Sequence, residues 1–287
     1  WAIRKSKKLE DIGLLARSAN ELGRLYVLQG DYKKAMPLLE QAVLDFKTVK
    51  DQHGVAKGEG NLGMLYFRKG EYEKAKVYLR QSMDLSHKLQ IIADAQIASS
   101  LGLAHMNQGN FEEGISEMQK ALSQAKRQND KRSMANLYTY IGVLQMEKDD
   151  HAAALKSLEE GLKMSESLGN KLFMCICTGC LGGIYQVKGD FDAAMKNFEI
   201  DLAMSLELGD KQGIAIAHGL VGELQVILGK FGKAKRSLKK SLQLSREIGY
   251  KKGSAKAENN LGDILFLQQK YKKAQKKYIS AVDISRA

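Results

Sequence analysis

Apolar and small residues recur along this chain at intervals of three and four, interrupted by short polar breaks that usually hold a glycine. From Met174 to Val187 the spacing predicts one helix, and from Phe191 through Ala194, Met195, Phe198 and Leu202 it predicts a second. Between them Lys188, Gly189 and Asp190 supply a stop for the first helix and a cap for the next. The unit is a helix hairpin.

That hairpin is written seven times. The glycine column reads Gly23, Gly63, Gly102, Gly142, Gly182, Gly222 and Gly262, with steps of 40, 39, 40, 40, 40 and 40 residues. A period in the range of about 20 to 50 residues marks a solenoid or a propeller. Each glycine follows a branched apolar residue: Leu22, Leu62, Leu101, Ile141, Leu181, Val221 and Leu261. On the second helix the matching column is Ala35, Ala75, Gly114, Ala154, Ala194, Ala234 and Ala274. Small residues in both columns let the two helix backbones cross closely.

The order Leu-Gly, aromatic, Gly, aromatic, Ala and a large apolar residue resembles the tetratricopeptide repeat, and the resemblance covers essentially the whole chain. The unit is longer than the common form of about 34 residues. Pro37 is the single proline, so the proline that usually follows the second helix is missing. Leu168, Gly169, Asn170 and Lys171 stand in its place, as do Leu208 to Lys211 and Ile248 to Lys251. This longer form is similar to the 40-residue subclass of the LGN/Pins-type spindle-orientation adaptors and, less closely, of the kinesin light chains.

The resemblance implies an all-α fold, a right-handed superhelical α-solenoid of about seven hairpins. The expected units are 12–49, 50–89, 90–128, 129–168, 169–208, 209–248 and 249–287. Trp1, Ala2 and Ile3 align with Gln41, Ala42 and Val43, so residues 1–11 read as the end of a preceding repeat's second helix and the chain as a piece of a longer protein. One continuous core needs no internal domain boundary.

In this family the first helices line the concave side. Carried onto this sequence, the candidate partner-binding residues are Arg17, Asn20, Arg24, Lys57, Asn61, Met64, Arg68, Leu103, Asn107, Asn136 and Val143. Further along they are Ile176, Gly183, Gln186, Ile216, Glu223, Lys256, Asn259 and Asn260. Asn61 and Asn260 match the asparagines that help hold the ligand in LGN-type proteins. Such a wall is basic at its start, apolar and glycine-lined through the middle and mixed at its end. It suits an extended or helical peptide with an acidic end and apolar anchors. Gly179, Gly183 and Gly219 let a ligand backbone come close, whereas Val187, Val226 and Ile227 equally suit packing against the next hairpin.

Charge adds a second candidate surface. Residues 230 to 287 hold 16 Lys and Arg against 4 Asp and Glu, while residues 1 to 229 hold 29 of each, so the net charge of +12 belongs to the last stretch. Lys233, Arg236, Lys240, Lys272, Lys273, Lys276 and Lys277 fall on second helices and read as a basic docking face for an acidic or cytoskeletal surface. A solvated lysine-rich face explains the same run. The run lacks the interleaved aromatics of a base-stacking platform, which disfavours nucleic acid.

Candidate chemistry is sparse. Cys175, Cys177 and Cys180 lie on one predicted helix at offsets that point them to different faces, which reads as thiols in a reducing compartment and not as a metal site. Asp149, Asp150 and His151 invite a metal or acid-base role. His151, however, occupies the column of Tyr32, Tyr72, Phe111, Phe191, Phe231 and Tyr271, which reads as packing at a helix start. No nucleophile is paired with a base, and no phosphate loop follows a strand. The expectation is a non-catalytic scaffold or adaptor without cofactor or metal, binding a protein or peptide in a cytoplasmic setting. The alternative is a structural component of a cytoskeletal or axonemal assembly. No run of 18 apolar residues exists to span a membrane.

Overall fold

In the computed structural model, residues 2–89 and 95–286 are described, with side chains from residue 11 onward. The expected start of the third repeat, at residue 90, lies outside them. Among the described residues all regular structure is helical, so the fold is all-α. Its elements are α1 (Ala2–Gln29), α2 (Tyr32–Thr48), α3 (Gln52–Arg68), α4 (Tyr72–Lys88), α5 (Ala95–Met106), α6 (Phe111–Arg127) and α7 (Lys131–Glu147). They continue as α8 (His151–Ser167), α9 (Lys171–Val187), α10 (Phe191–Leu208), α11 (Lys211–Ile227), α12 (Phe231–Glu247), α13 (Lys251–Leu267) and α14 (Tyr271–Arg286).

The helices group into two compact units that divide between Asp150 and His151. The division falls at the turn of the repeat whose sequence is most irregular. In the first unit α1 packs on α2, α3 on α4 and α5 on α6 as hairpins, and each first helix also meets the next first helix. In the second unit α9 pairs with α10, α11 with α12 and α13 with α14, while α8 packs on α9. This is the helix-hairpin solenoid pattern that the forty-residue period predicts.

Turn chemistry explains where the helices stop. Gly30 and Gly189 sit at φ +80 and +78, the left-handed region that a side chain disfavours. At the first turn the Gly30 amide donates to the Val27 carbonyl and the Asp31 amide to the Tyr26 carbonyl, closing the last turn of α1. Asp31 then caps α2 by accepting from the Lys34 amide, and Asp51, Asp190 and Asp210 do the same for α3, α10 and α11. Each such cap contributes about 1 kcal/mol. Lys50, Asn129, Asp149 and Gln269 take positive φ without being glycine, so the register of the repeat fixes the turn even where composition does not favour it.

Residues 1–11 depart from expectation: α1 runs unbroken from Ala2 to Gln29, with no reversal near residue 11. Glu10 holds the column in which Lys50, Asn129, Gly169, Gly209 and Gly249 turn left-handed. Glutamate is a good helix former, and the helix continues through it.

The core lies between first and second helices. In the first unit Leu39, Leu65, Leu79 and Leu101 are fully buried, and in the second Phe198, Leu224 and Leu238 are. Each such side chain contributes about 1.5–3 kcal/mol on leaving water. The glycine column sits at the closest approach. A Cβ on Gly63 would lie 2.6 Å from Leu79 Cγ and 2.9 Å from the Leu79 main-chain nitrogen, and one on Gly182 would lie 2.5 Å from the Phe198 ring. His105 fills the column of Tyr26, Tyr66 and Tyr185, with neither ring nitrogen hydrogen-bonded. Burial, with Lys76 and Arg80 adding, holds its pKa below the usual imidazole value.

Because a backbone atom opposes any side chain at Gly63, Gly63→Val is expected to cost about 1–3 kcal/mol through overpacking. Urea unfolding should show a lower midpoint. An unchanged midpoint would mean that α3 and α4 do not approach this closely.

Candidate functional site

A helix that commits one face to the crossing leaves its opposite face available, and in the first unit those faces form a groove pocket of about 540 Å³. Asn20, Arg24, Val27 and Leu28 of α1 line it, with Ala56, Lys57, Asn61 and Met64 of α3 and Gln96 and Ile97 of α5. Ser82 and Ser86 of α4 form part of its floor, and Ser133 of α7 also faces it. The pocket thus gathers Asn20, Arg24, Lys57, Asn61 and Met64 from the sequence-predicted set.

The polar groups there are ordered. Asn20 is 3% exposed and accepts a hydrogen bond of 3.0 Å from Asn61 Nδ2, so the two amides form a rung between α1 and α3. Arg24 pairs with Glu21 at 3.0 Å on its own helix, and Arg17, outside the pocket, lies 3.4 Å from Asp51. Lys57 is exposed and joins no ion pair, leaving it the free cation of the pocket among the described residues. Arg68 is also exposed. Further along, Asn136 accepts from Ser99 Oγ at 2.6 Å, Asn107 donates to the Leu103 carbonyl of its own helix, and Leu103 and Val143 are half-buried.

In the second unit a smaller pocket of about 140 Å³ is lined by Ile216, Gly219, Ser241, Tyr250, Lys256 and Asn260, among others. Asn260 is 8% exposed, and its Nδ2 has no hydrogen-bond partner. An amide donor buried without a partner loses about 1–3 kcal/mol of solvation, a loss that a ligand carbonyl would offset. Lys256 pairs with Glu223 at 2.7 Å, and Asn259 donates to Asp263 at 3.4 Å. Ile176, Gly183 and Gln186 are half-buried on α9 and line neither pocket.

One column on the second helices was not singled out from the sequence. It reads Ala42, Ser82, Ala121, Gly161, Asp201, Ser241 and Ala281, in step with the glycines. Ser82 Oγ donates to the Ala56 carbonyl and Ser241 Oγ to the Ala215 carbonyl, both at 2.7 Å. Asp201 is the exception. It is 5% exposed, accepts from Ser205 Oγ at 3.2 Å, and joins no ion pair among the described residues. Burial pushes its carboxyl up to about 7 against the hydrogen bonds of Ser205 and Cys175, with the negative charge of Asp210 adding to the rise. The signal in the sequence was an acid in a column of Ala, Ser and Gly.

The basic face is partly engaged inside the molecule. Glu258 is 2% exposed, and Arg246 of α12 and Lys277 of α14 hold its two oxygens at 2.7 and 2.8 Å. Lys277 is therefore an internal partner of α13. Lys233, Arg236 and Lys240 on α12 and Lys272, Lys273 and Lys276 on α14 are exposed. Cys175 and Cys177 are buried and Cys180 is half-buried. Among the described residues no group of three or more His, Cys, Asp or Glu side chains is arranged to hold a metal. No described helix is long and apolar enough to cross a membrane.

Stacked helix hairpins whose first-helix faces line a pocket in each unit define a helical-repeat fold. The family model of the tetratricopeptide repeat matches residues 14–88 and 94–167, more than half of the chain, and the protein belongs to that family. No curated protein matches it by sequence. Several solved structures share its fold. Aspartyl phosphate phosphatase F from Bacillus subtilis aligns over 100% of this chain and 74% of its own, with a TM-score of 0.79 at 15% identity. A Rap protein complexed with competence and sporulation factor aligns over 95% and 75%, with a TM-score of 0.74 at 15% identity. NprR in complex with its cognate peptide NprX aligns over 94% and 76%, with a TM-score of 0.65 at 17% identity.

The raised pKa of Asp201 carries a pH signature. The folded state holds this proton more tightly than the unfolded chain, so the contribution of Asp201 is most favourable below about pH 4 and is lost as pH rises towards 7. Urea unfolding at pH 5, 6, 7 and 8 should show Asp201→Ser gaining stability over the parent protein across that window, by several kcal/mol at the upper end. A difference independent of pH would show that the carboxyl is ionised throughout.

Proposed function

We propose that this protein is a non-catalytic interaction scaffold that binds an extended segment of a partner protein along the first-helix faces of its repeats. The observation that carries the reading is the groove pocket of the first unit, where Asn20, Asn61, Lys57 and Met64 come from two successive hairpins onto one surface. Asn61 and Asn20 suit the amides of a ligand backbone, Lys57 suits an acidic side chain, and Met64 with Ile97 suits an apolar anchor. The unpartnered Asn260 amide supports the same mode in the second unit. Two proteins of the same fold have been solved in complexes, a Rap protein with competence and sporulation factor and NprR with its cognate peptide NprX. The repeat units carrying these faces are 12–49 through 249–287, and the cysteine thiols fit a reducing cytoplasmic setting.

An arrayed peptide library offered to the whole chain tests this. Peptides with an acidic end and an apolar residue should be retained, and Arg24→Glu combined with Lys57→Glu should weaken them about tenfold or more. Retention unaffected by both changes together with Ile216→Asp would sink the groove mode.

A second reading is docking of an acidic, cytoskeletal surface. It rests on the six exposed cations of α12 and α14, which join no ion pair among the described residues. Co-sedimentation with microtubules that is lost on changing Lys272, Lys273 and Lys276 to glutamate supports it. Binding that survives those changes removes it.

A further inference from the structure

Two first-helix glycines of the second unit face the polar column of the second helices. A Cβ built on Gly219 would meet Ser241 Oγ at 3.3 Å and one on Gly179 would meet Asp201 Oδ2 at 3.0 Å, whereas at Gly60 the Ile97 side chain, 2.4 Å from such a Cβ, already fills the space beside Ser82. Ser82 and Ser241 each line a groove pocket. Asp201 holds the same register on α10, packed between α9 and α11, and Gly179 on α9 brings no side chain of its own over Oδ2, with Leu220 Cδ1 3.8 Å from where a Cβ would stand. Ser205 Oγ donates to Oδ1, and Oδ2 is the oxygen nearest Gly179.

The surroundings of that carboxyl hold no cation. The titratable groups near it are the Cys175 thiol on α9, whose hydrogen bond favours the carboxylate, and the Asp210 carboxylate at the start of α11, which disfavours a second negative charge. Glu258 shows what this chain does with a buried acid that serves packing alone: Arg246 and Lys277 cover it from two helices. A buried carboxylate without a cationic partner, set behind Gly179, is complementary to a charge brought from outside.

We infer that Asp201 is a recognition site for a cationic side chain, lysine or arginine, of the bound segment, received over Gly179. The inference deepens the groove reading and rests on it. Binding then takes place with loss of the Asp201 proton: the Oδ2–H bond breaks, the proton goes to solvent buffer, and the carboxylate pairs with the ammonium or guanidinium. Affinity for a cationic ligand therefore rises with pH through about 7, where this carboxyl titrates.

The test uses immobilised positional-scanning pools of acetylated hexapeptide amides with one position fixed as arginine, lysine, citrulline or norleucine. The whole chain is applied at pH 6 and pH 8. The parent protein should favour arginine or lysine pools about tenfold over the citrulline and norleucine pools at pH 8, and the preference should fall about tenfold at pH 6. Asp201→Ser should bind all four alike at both pH values. Serine is native to this column at Ser82 and Ser241, so the variant is expected to fold, which its circular dichroism and urea midpoint will show. Asp201→Asn, nearly isosteric, should lose the preference in the same way. A cationic preference that persists in both variants overturns the assignment. Pools retained with no preference for charge in the parent protein also overturn it, while leaving the groove reading intact. If no pool of any kind is retained, both fall together.

Discussion

The close crossing of first and second helices is the constraint on which the rest depends. Gly63 faces Leu79 and Gly182 faces Phe198 at distances that no Cβ could occupy. Because the contact is between backbone and a large side chain, it fixes the depth at which each pair of helices meets, and with it the rotation of each helix about its axis. The buried leucines of each hairpin fall into register as a consequence, and the same close approach recurs at Gly23, Gly102, Gly222 and Gly262.

Fixing that rotation also decides what the remaining faces can do. In the first unit the free face of α1 brings Asn20 beside Asn61 of α3, and the two amides satisfy each other in part while staying at the edge of a pocket. Asn20 recurs as Gly60, Ser99, Thr139, Gly179 and Gly219, so the width of the groove varies along the chain while its backbone does not. A repeat protein can therefore change specificity by side-chain size at a fixed column without altering its fold.

Two buried carboxyls are held in contrasting ways. Glu258 on α13 is closed off by Arg246 and Lys277, a three-helix clamp that leaves little for a partner. Asp201 on α10 has a serine hydroxyl and a neighbouring thiol in place of cations, and its charge is discouraged by burial. The second arrangement is costly in the free protein at neutral pH, because burial disfavours the ionised carboxyl.

Much of this was legible in the sequence. The forty-residue period, the glycine column and the Gly-Asp turns settle helix positions and pairing, because backbone sterics at a crossing or a left-handed turn admit few residue types. Candidate groove residues were read by column, and Asn20, Lys57, Asn61, Met64, Ile216, Lys256 and Asn260 do line pockets. Other features depend on neighbours that a linear pattern does not contain. Lys277 read as a surface cation until its partner Glu258, 19 residues earlier, was placed beneath it. Asp201 is one acid among many in the sequence, and only its burial between α9 and α11, with Gly179 in front, sets it apart. The break in the chain's grouping at Asp150 is likewise a tertiary outcome. Periodicity states which residues are equivalent, while solvation and charge depend on what the other helices bring within a few ångströms.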